Sequence, residues 1–191
     1  MNQHVALTIR NAEVDDAEQI ACAHVAAWQA AYKGLVPQDY LDTLDVGERT
    51  ALWRSILTGE VTAPGVPRPT DFVIEADTRL VGFVNVGRFR DQPNDAAAGE
   101  LWAMYVHPDA WGTGAGDELM IATLDELFRM ESTTSYLWVL EGNDRARRFY
   151  ERHGWKSDGI IKTFDANTSE VPEVRYSRPI NEKDAAASPR V

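Results

Sequence analysis

"VHPDAWGTGAGDELM", residues 106–120, joins the end of a predicted strand to the start of a predicted helix through three glycines. Gly112, Gly114 and Gly116 alternate with other residues, and glycine is favoured where a backbone turns sharply or approaches another group closely. Such a loop can direct several backbone N–H groups, together with the positive end of a helix, toward one anion. A tight turn with glycines for packing explains the glycines alone equally well.

The spacing of the glycines disagrees with the two best-known phosphate-binding motifs. The G-x-G-x-x-G fingerprint, started at Gly112, requires glycine where Asp117 stands, and started at Gly114 it requires glycine where Leu119 stands. The P-loop pattern, started at Gly112, requires Gly-Lys where the sequence has Asp117 and Glu118. A dinucleotide-binding oxidoreductase is therefore disfavoured.

Hydrophobic periodicity on both sides of the loop predicts one α/β domain. The chain has 191 residues, which suits a single domain. Strand-like and helix-like segments follow the order β-α-α-β-β-β-α-β-α-β-β, which predicts a mixed central sheet of about seven strands flanked by helices. The second helix is predicted over Gln38–Leu57, with an interruption near Asp45–Gly47. We assign the domain to residues 5–179 and expect a poorly ordered tail over 180–191.

Composition and charge limit the classes of partner. The formal net charge of -11 argues against nucleic acid, whose phosphates bind positive surfaces. The charge favours a cationic partner such as an amine, although solubility alone explains it equally well. No apolar run approaches the ~20 residues that span a bilayer, and no signal peptide is evident, so we expect a cytoplasmic protein with no membrane partner. The lone Cys22 excludes an internal disulfide and a cysteine-rich metal site.

Two separated blocks resemble the GCN5-related N-acetyltransferase (GNAT) superfamily. Trp111–Gly116 is similar to motif A of that family, Q/R-x-x-G-x-G/A after a strand, with Trp111 in place of Gln or Arg. "EGNDRARRFYERHGW", residues 141–155, resembles the second block, N-x-x-A-x-x-F-Y-x-x-x-G-F, with Trp155 in place of Phe. The two motifs occur in the family's order. The resemblance therefore implies the single-domain acetyltransferase (GNAT) fold.

The resemblance also implies acetyl-CoA as the cofactor. In the family, the loop amides bind the pyrophosphate, and the strand before the loop separates from its neighbour to admit the pantetheine arm. Asn143 matches the family's asparagine on that arm, although a helix N-cap is an equally good role. Arg147 belongs to a basic helix surface that could hold the 3′-phosphate, and solvated ion pairs are the alternative. The implied cofactor-binding residues are Met104, Tyr105, Val106, Trp111, Gly112, Thr113, Gly114, Ala115, Gly116, Asn143 and Arg147.

Acetyl transfer to an amine needs a proton acceptor, because a lysine-like amine has a pKa of ~10.4 and is mostly protonated at neutral pH. Glu100 begins the strand "ELWAMYV", where strict alternation places it on one face with Trp102, Met104 and Val106. Its position relative to motif A also resembles that of the glutamate base in histone-type members. A strand-edge glutamate paired with a base, or a chain of waters as the proton acceptor, are the alternatives.

Transfer also needs a proton donor for the leaving thiolate and a donor to the thioester oxygen. Tyr150 matches a family tyrosine that protonates or hydrogen-bonds the thiolate, and a core aromatic like Phe149 is the alternative. In the family, a backbone amide near Met104–Val106 polarises the thioester carbonyl. Asp117, in the first helical turn, favours the helix dipole, and a side chain that points to solvent would not oppose an anion.

The acceptor side is predicted near Trp28 and Tyr32, which lie one helical turn apart in a segment that walls the acceptor pocket in the family. These rings could contact an apolar group or an ammonium, and core packing is the alternative for Trp28. His24 is interpreted as a packed helix residue. We expect direct attack by a primary amine of a small molecule, protein or peptide, and leave a homodimer open. A non-catalytic acyl-CoA sensor on the same fold is the second hypothesis.

Overall fold

A central mixed sheet organises the molecule. The computed structural model describes residues 6–61, 66–166 and 169–185. Its strands are β1 (Leu7–Asn11), β2 (Thr70–Ala76), β3 (Arg79–Arg88), β4 (Ala98–Val106), β5 (Thr134–Leu140), β6 (Lys156–Asp165) and β7 (Glu170–Pro179). They lie in the order β1-β2-β3-β4-β5-β7-β6, and among these described strands the β4–β5 pair alone is parallel. The predicted seven-stranded mixed sheet is confirmed.

The helices are α1 (Ala17–Ala31), α2 (Gln38–Asp42), α3 (Val46–Thr58), α4 (Ala115–Arg129), α5 (Asp144–Arg152) and α6 (Glu182–Ala185). The helix predicted over Gln38–Leu57 is therefore divided, and the break comes slightly earlier than expected. Asp45 ends the break because its carboxylate accepts a hydrogen bond from the Glu48 amide at 2.9 Å and so caps α3.

The two faces of the sheet are covered by different helices. Helix α4 packs on one face, where its buried Leu119, Met120 and Leu127 contact the interior of the sheet. Helices α1 and α3 cover β2, β3 and β4 on the other face, with Ile20 and Trp53 in their interface. The apolar positions recur at helical spacing in α1 and α4, which is why each helix buries one stripe.

The parallel strands β4 and β5 separate along their length. They pair only from Ala98–Leu101 of β4 to Thr134–Leu137 of β5. Beyond Leu101, β4 remains paired with β3 as far as Val106 but has no described strand on its other side. The gap opens toward the loop before α4 and toward α5, so it lies where the glycine motif is.

The chain beyond β7 begins with ordered structure. Ile180 is buried, and α6 carries the buried Asp184, whose carboxylate pairs with Arg178 at 2.7 Å. The first part of the tail predicted over 180–191 is therefore packed against the domain, while residues 186–191 and residue 5 lie outside the described residues. None of the described helices is long and apolar enough to cross a membrane.

Candidate active site

A groove of about 730 Å³ follows the gap between β4 and β5. Helix α1, the end of β4, the loop before α4 and helix α5 form its walls. The groove brings together most of the residues predicted for the site. They are Tyr32, Met104, Tyr105, Val106, Trp111, Gly112, Gly114, Gly116, Asn143 and Tyr150.

The glycine loop has a backbone that requires glycine at two positions. Gly112 has φ 79° and Gly114 has φ 96°, both in the left-handed region that other residues rarely adopt. Gly116 lies in the first turn of α4, where an added Cβ would stand 3.3 Å from the Phe149 ring. The first two glycines therefore shape the loop, and the third allows α5 to pack closely.

The loop presents several unpaired backbone donors. Among the described residues, the N–H groups of Gly112, Gly114, Ala115 and Gly116 donate to no protein acceptor. The first N–H groups of any helix lack an acceptor within the helix, and here they adjoin the loop amides. Such a group of donors at a helix N-terminus fits a diphosphate without a lysine. The Thr113 hydroxyl instead donates to the Ala110 carbonyl at 2.8 Å.

Trp111, the departure from motif A, joins the loop to β4. Its indole Nε1 donates to the Val106 carbonyl at 2.8 Å, which satisfies an acceptor on the unpaired end of the strand. The Arg145 guanidinium carbon lies 3.4 Å from the centroid of the Trp111 ring, a cation–π contact across the groove. Trp111 therefore supports the loop from β4 and also positions an arginine of α5.

The Asp117 side chain is 47% exposed and is paired with α5. Its Oδ1 lies 2.7 Å from Arg152 Nη2 and 2.8 Å from His153 Nε2. Burial opposes ionisation, but the hydrogen bonds from Arg152 and His153 outweigh it and lower the pKa of Asp117. The carboxylate therefore ties the start of α4 to the end of α5, on either side of the groove.

Tyr150 lies in the wall of the groove. Its ring packs edge-on against Phe149, and its hydroxyl has no hydrogen-bond partner among the described residues. Burial, with a contribution from Tyr105, raises the pKa of Tyr150 well above its usual range. The hydroxyl therefore keeps its proton at neutral pH and can donate it.

The two candidate residues of the second motif have different environments. Asn143 both lines the groove and caps α5, since its Oδ1 accepts a hydrogen bond from the Ala146 amide at 3.1 Å. Arg147 is not brought to the groove. Its guanidinium donates to the Tyr176 hydroxyl at 3.0 Å and to the Glu141 carbonyl at 2.9 Å. The arginines that do line the groove are Arg145, Arg148 and Arg152.

Glu100 is also not brought to the groove, because a β-bulge interrupts the alternation on which its prediction depended. Asn85 pairs with Ala103 and Val86 with Leu101, so Trp102 is an extra residue in β4. The bulge turns Glu100 to the face opposite that of Met104, and the side chain is only 1% exposed.

The Glu100 carboxylate forms an ion pair and hydrogen bonds with Arg90. The Arg90 amide donates to Oε2 at 2.9 Å, and Nε lies 3.1 Å from both carboxylate oxygens. The guanidinium Nη2 completes the pair. The alternative of a glutamate paired with a base therefore describes Glu100, whose bonds to Arg90 hold the segment before β4 against the sheet.

The acceptor side of the groove carries a group of aromatic rings. Tyr32 lines the groove, and its hydroxyl lies 3.3 Å from that of Tyr105. Trp28 packs edge-on against Tyr32, with ring centroids 4.8 Å apart, and against Phe164 at 5.7 Å. The indole Nε1 of Trp28 is buried with no acceptor in the described part of the chain. Trp28 is therefore packed among the rings beside the groove, whose lining residues include Tyr32 but not Trp28.

His24 supports the acceptor side from behind. Its ring stacks on Tyr105 with centroids 4.9 Å apart, and its Nδ1 accepts a hydrogen bond from Trp53 Nε1 at 3.2 Å. Burial, helped by the charge of Arg49, lowers the pKa of His24 to about 3. His24 is therefore neutral, which agrees with its interpretation as a packed residue.

Sequence reasoning missed Glu173, which lies on β7 opposite Leu140 of β5. Burial raises the pKa of this carboxyl, against the nearby positive charge of Lys162. The charge of Glu173 also contributes, after burial, to raising the pKa of the Tyr32 and Tyr105 hydroxyls. The signal in the sequence is a single acid between Val171 and Val174 in the last strand, which alone does not indicate a site.

Comparison with known proteins agrees with this geometry. The acetyltransferase (GNAT) family model matches residues 28–155. The uncharacterised N-acetyltransferase YuaI of Bacillus subtilis is 30% identical over 72% of this chain and 73% of its own length. The spermine/spermidine N(1)-acetyltransferase of B. subtilis is 28% identical over 49% of this chain and 62% of its own. PaiA N-acetyltransferase of Thermoplasma acidophilum, crystallised with coenzyme A, superposes with a TM-score of 0.69 at 16% identity, covering 91% and 99% of the two chains.

Proposed function

Since the chain belongs to the acetyltransferase (GNAT) family, we propose that it binds acetyl-CoA along the groove and transfers the acetyl group to a primary amine that enters on the α1–α2 side. The observation that carries this proposal is the meeting of two features at the gap between β4 and β5. Free loop amides lie at one end, and an unpaired Tyr150 hydroxyl lies in the wall.

The residues present fit acetyl-CoA. The free N–H groups of Gly112, Gly114, Ala115 and Gly116 suit the two phosphates, and the open edge of β4 suits an amide-bearing arm. Arg145, Arg148 and Arg152 give this end of the groove positive charge in an acidic protein. Acetyl-CoA supplies the activated acetyl group as a thioester.

The protein's own groups would act at three atoms of the reaction. A backbone amide at the unpaired end of β4, within Met104–Val106, would donate to the thioester oxygen, where negative charge develops. The Tyr150 hydroxyl would protonate the leaving sulfur, since its raised pKa keeps the proton in place until a thiolate forms. The aromatic walls would exclude water from the acceptor amine.

The side chains on the acceptor side of the groove indicate which class of amine it accepts. Tyr32 and Tyr105 line it, and aromatic faces attract organic cations. The named substrates of the B. subtilis spermine/spermidine relative are amines, and an overall charge of -11 favours cationic molecules. We therefore propose a cationic primary amine as the acceptor.

The test is release of the CoA thiol from acetyl-CoA in the presence of spermidine, phenethylamine, alanine amide or kanamycin. Thiol release that depends on one of these amines, with an acetylated product of the expected mass, supports the proposal. Binding of acetyl-CoA with no amine-dependent thiol release would favour the second hypothesis, an acyl-CoA sensor. Absence of acetyl-CoA binding would contradict both.

A further inference from the structure

The buried pairing of Glu100 leaves the proposed reaction without an assigned proton acceptor. Two other carboxylates near the groove are also engaged. Asp117 is paired with Arg152 and His153 at the loop end of the groove, and the Glu151 carboxylate accepts the Tyr176 hydroxyl at 2.8 Å. The carboxylate with the weakest partners on the acceptor side is Glu173.

Glu173 faces the aromatic acceptor side. It is the cross-strand neighbour of Leu140, and residues directly opposite one another in a sheet share a face. Leu140 packs in one cluster with Trp28, Tyr32 and Phe164, on the side of the sheet where the acceptor is expected. The carboxylate therefore lies on the face of the sheet that carries Tyr32, which lines the groove and whose hydroxyl feels the charge of Glu173.

The Glu173 carboxylate is poorly satisfied by the protein. Its side chain is only 19% exposed, yet it accepts no hydrogen bond within 3.5 Å from the described residues. Its nearest cation is Lys162 Nζ, 3.6 Å from Oε2, on the edge strand β6. Lys162 is itself 40% exposed and lies 4.1 Å from the Trp138 ring centroid. Because a largely shielded carboxylate with a single, partly exposed cationic partner is only partly compensated for its lost hydration, this one is suited to a cationic ligand.

We propose that Glu173 binds the acceptor's ammonium group and takes its proton. This inference rests on the proposed function. The ammonium passes one proton to Glu173, the nitrogen lone pair forms the N–C bond as the C–S bond breaks, and Tyr150 donates its proton to sulfur. The second proton of the nitrogen restores Tyr150, and Glu173 releases its proton to solvent.

The charges around Glu173 suit this role. Burial raises its pKa, which brings the carboxyl closer to the pKa of the amine that it must deprotonate. The groups that face it are opposed in sign, and Lys162 has the largest effect among them. They are Lys162 on β6, Arg90 before β4, Glu100 on β4 and the hydroxyls of Tyr32 and Tyr105.

The test compares wild type with Glu173→Gln, which keeps the shape and removes the charge. The probe is whichever of spermidine, phenethylamine and alanine amide wild type acetylates fastest. We expect kcat/KM to fall about 100-fold or more, the range for loss of a general base, while the Kd for acetyl-CoA by calorimetry stays within about twofold. The matched control is Glu170→Gln, an exposed acid of the same strand, which should keep the wild-type rate.

The pH profile gives a second readout. A base acts as the carboxylate, so wild-type kcat/KM should rise with pH through the pKa of Glu173, and this acid limb should disappear in Glu173→Gln. Lys162→Met removes a charge that lowers this pKa, so it should move the acid limb to higher pH.

The outcomes separate this inference from the proposed function. Wild-type turnover with an unchanged rate and acid limb in Glu173→Gln would overturn the role of Glu173 and leave the acetyltransferase proposal standing. No turnover by wild type with any of spermidine, phenethylamine, alanine amide and kanamycin would overturn both. A Glu173→Gln protein that has lost acetyl-CoA binding as well would contradict a role confined to the acceptor.

Discussion

The donor and acceptor ends of the groove are built in different ways. The donor end consists of consecutive backbone, residues 112–116, in which Gly112 and Gly114 have positive φ angles and the N–H groups other than that of Thr113 donate to no described acceptor. The acceptor end consists of side chains from α1, β4, β5, β6 and β7, which are distant in sequence. A backbone site can be recognised in one short stretch of sequence, whereas a side-chain site has to be assembled by the fold.

This difference suggests how each end can change. The donor end depends on main-chain geometry, so few substitutions in the loop should be tolerated without loss of CoA affinity. The acceptor end can exchange rings and charges without altering the sheet. Acceptor specificity is therefore expected to reside in residues such as Trp28, Tyr32 and Glu173, while the donor end stays common to the family.

The largest effect is expected at Tyr150, which lies where the donor and acceptor ends of the groove meet. Tyr150→Phe removes the hydroxyl and keeps the ring that packs against Phe149. We expect kcat to fall about 100-fold, as for loss of a general acid, with the Kd for acetyl-CoA almost unchanged. Steady-state thiol release and calorimetry measure the two quantities. A wild-type kcat would show that the leaving sulfur needs no donor from this residue.

A second substitution separates structural from catalytic carboxylates. Glu100→Gln removes the buried charge in β4 to which Arg90, in the exposed segment before β4, is bound. We expect the free energy of unfolding to fall by about 2 kcal/mol, the scale of hydrogen bonds to a charged group, with kcat of the folded enzyme unchanged. Urea unfolding and thiol release give the comparison. A loss of kcat without a loss of stability would restore Glu100 as the base.

A pair of glycine substitutions tests the donor end. Gly112→Ala and Gly159→Ala each place a Cβ at a positive φ, 79° and 83°, with no atom within 4 Å of it. Both should cost about 1–2 kcal/mol of stability through backbone strain. Only Gly112→Ala should also weaken acetyl-CoA binding, by about tenfold, because its loop carries the free amides. Equal CoA affinities in the two variants would argue against the loop as the phosphate site.

The smallest effect is expected at His24, which packs against Tyr105 behind the acceptor end of the groove. Burial lowers the pKa of His24 to about 3, below its unfolded value, so the unfolded chain binds more protons and stability falls as pH drops below about 6.5. Between pH 8 and 5.5, the free energy of unfolding should decrease by about 1.4 kcal/mol from this residue. His24→Gln should reduce that dependence in urea unfolding at the two pH values. An identical dependence in the variant would exclude His24 as its source.

The sequence predicted the donor end of the groove better than the acceptor end, for the same reason. The order of elements, the mixed sheet and the placement of Gly112 and Tyr150 followed from local periodicity and motifs. The failure at Glu100 has a single cause, since the bulge at Trp102 breaks an alternation that the sequence itself does not interrupt. The contacts of Arg147 and Glu173 could not be predicted, because they depend on which side chains the fold brings next to each residue. Spacing along the chain does not contain that information.

The most direct test of the account is a ¹H–¹⁵N NMR titration of the protein with acetyl-CoA. We predict the largest amide shifts at Gly112, Gly114, Ala115 and Gly116, whose N–H groups have no protein acceptor, with smaller changes at Met104–Val106 along the open edge of β4. Saturable binding of acetyl-CoA that leaves these loop amides unshifted would contradict the assignment of the donor end.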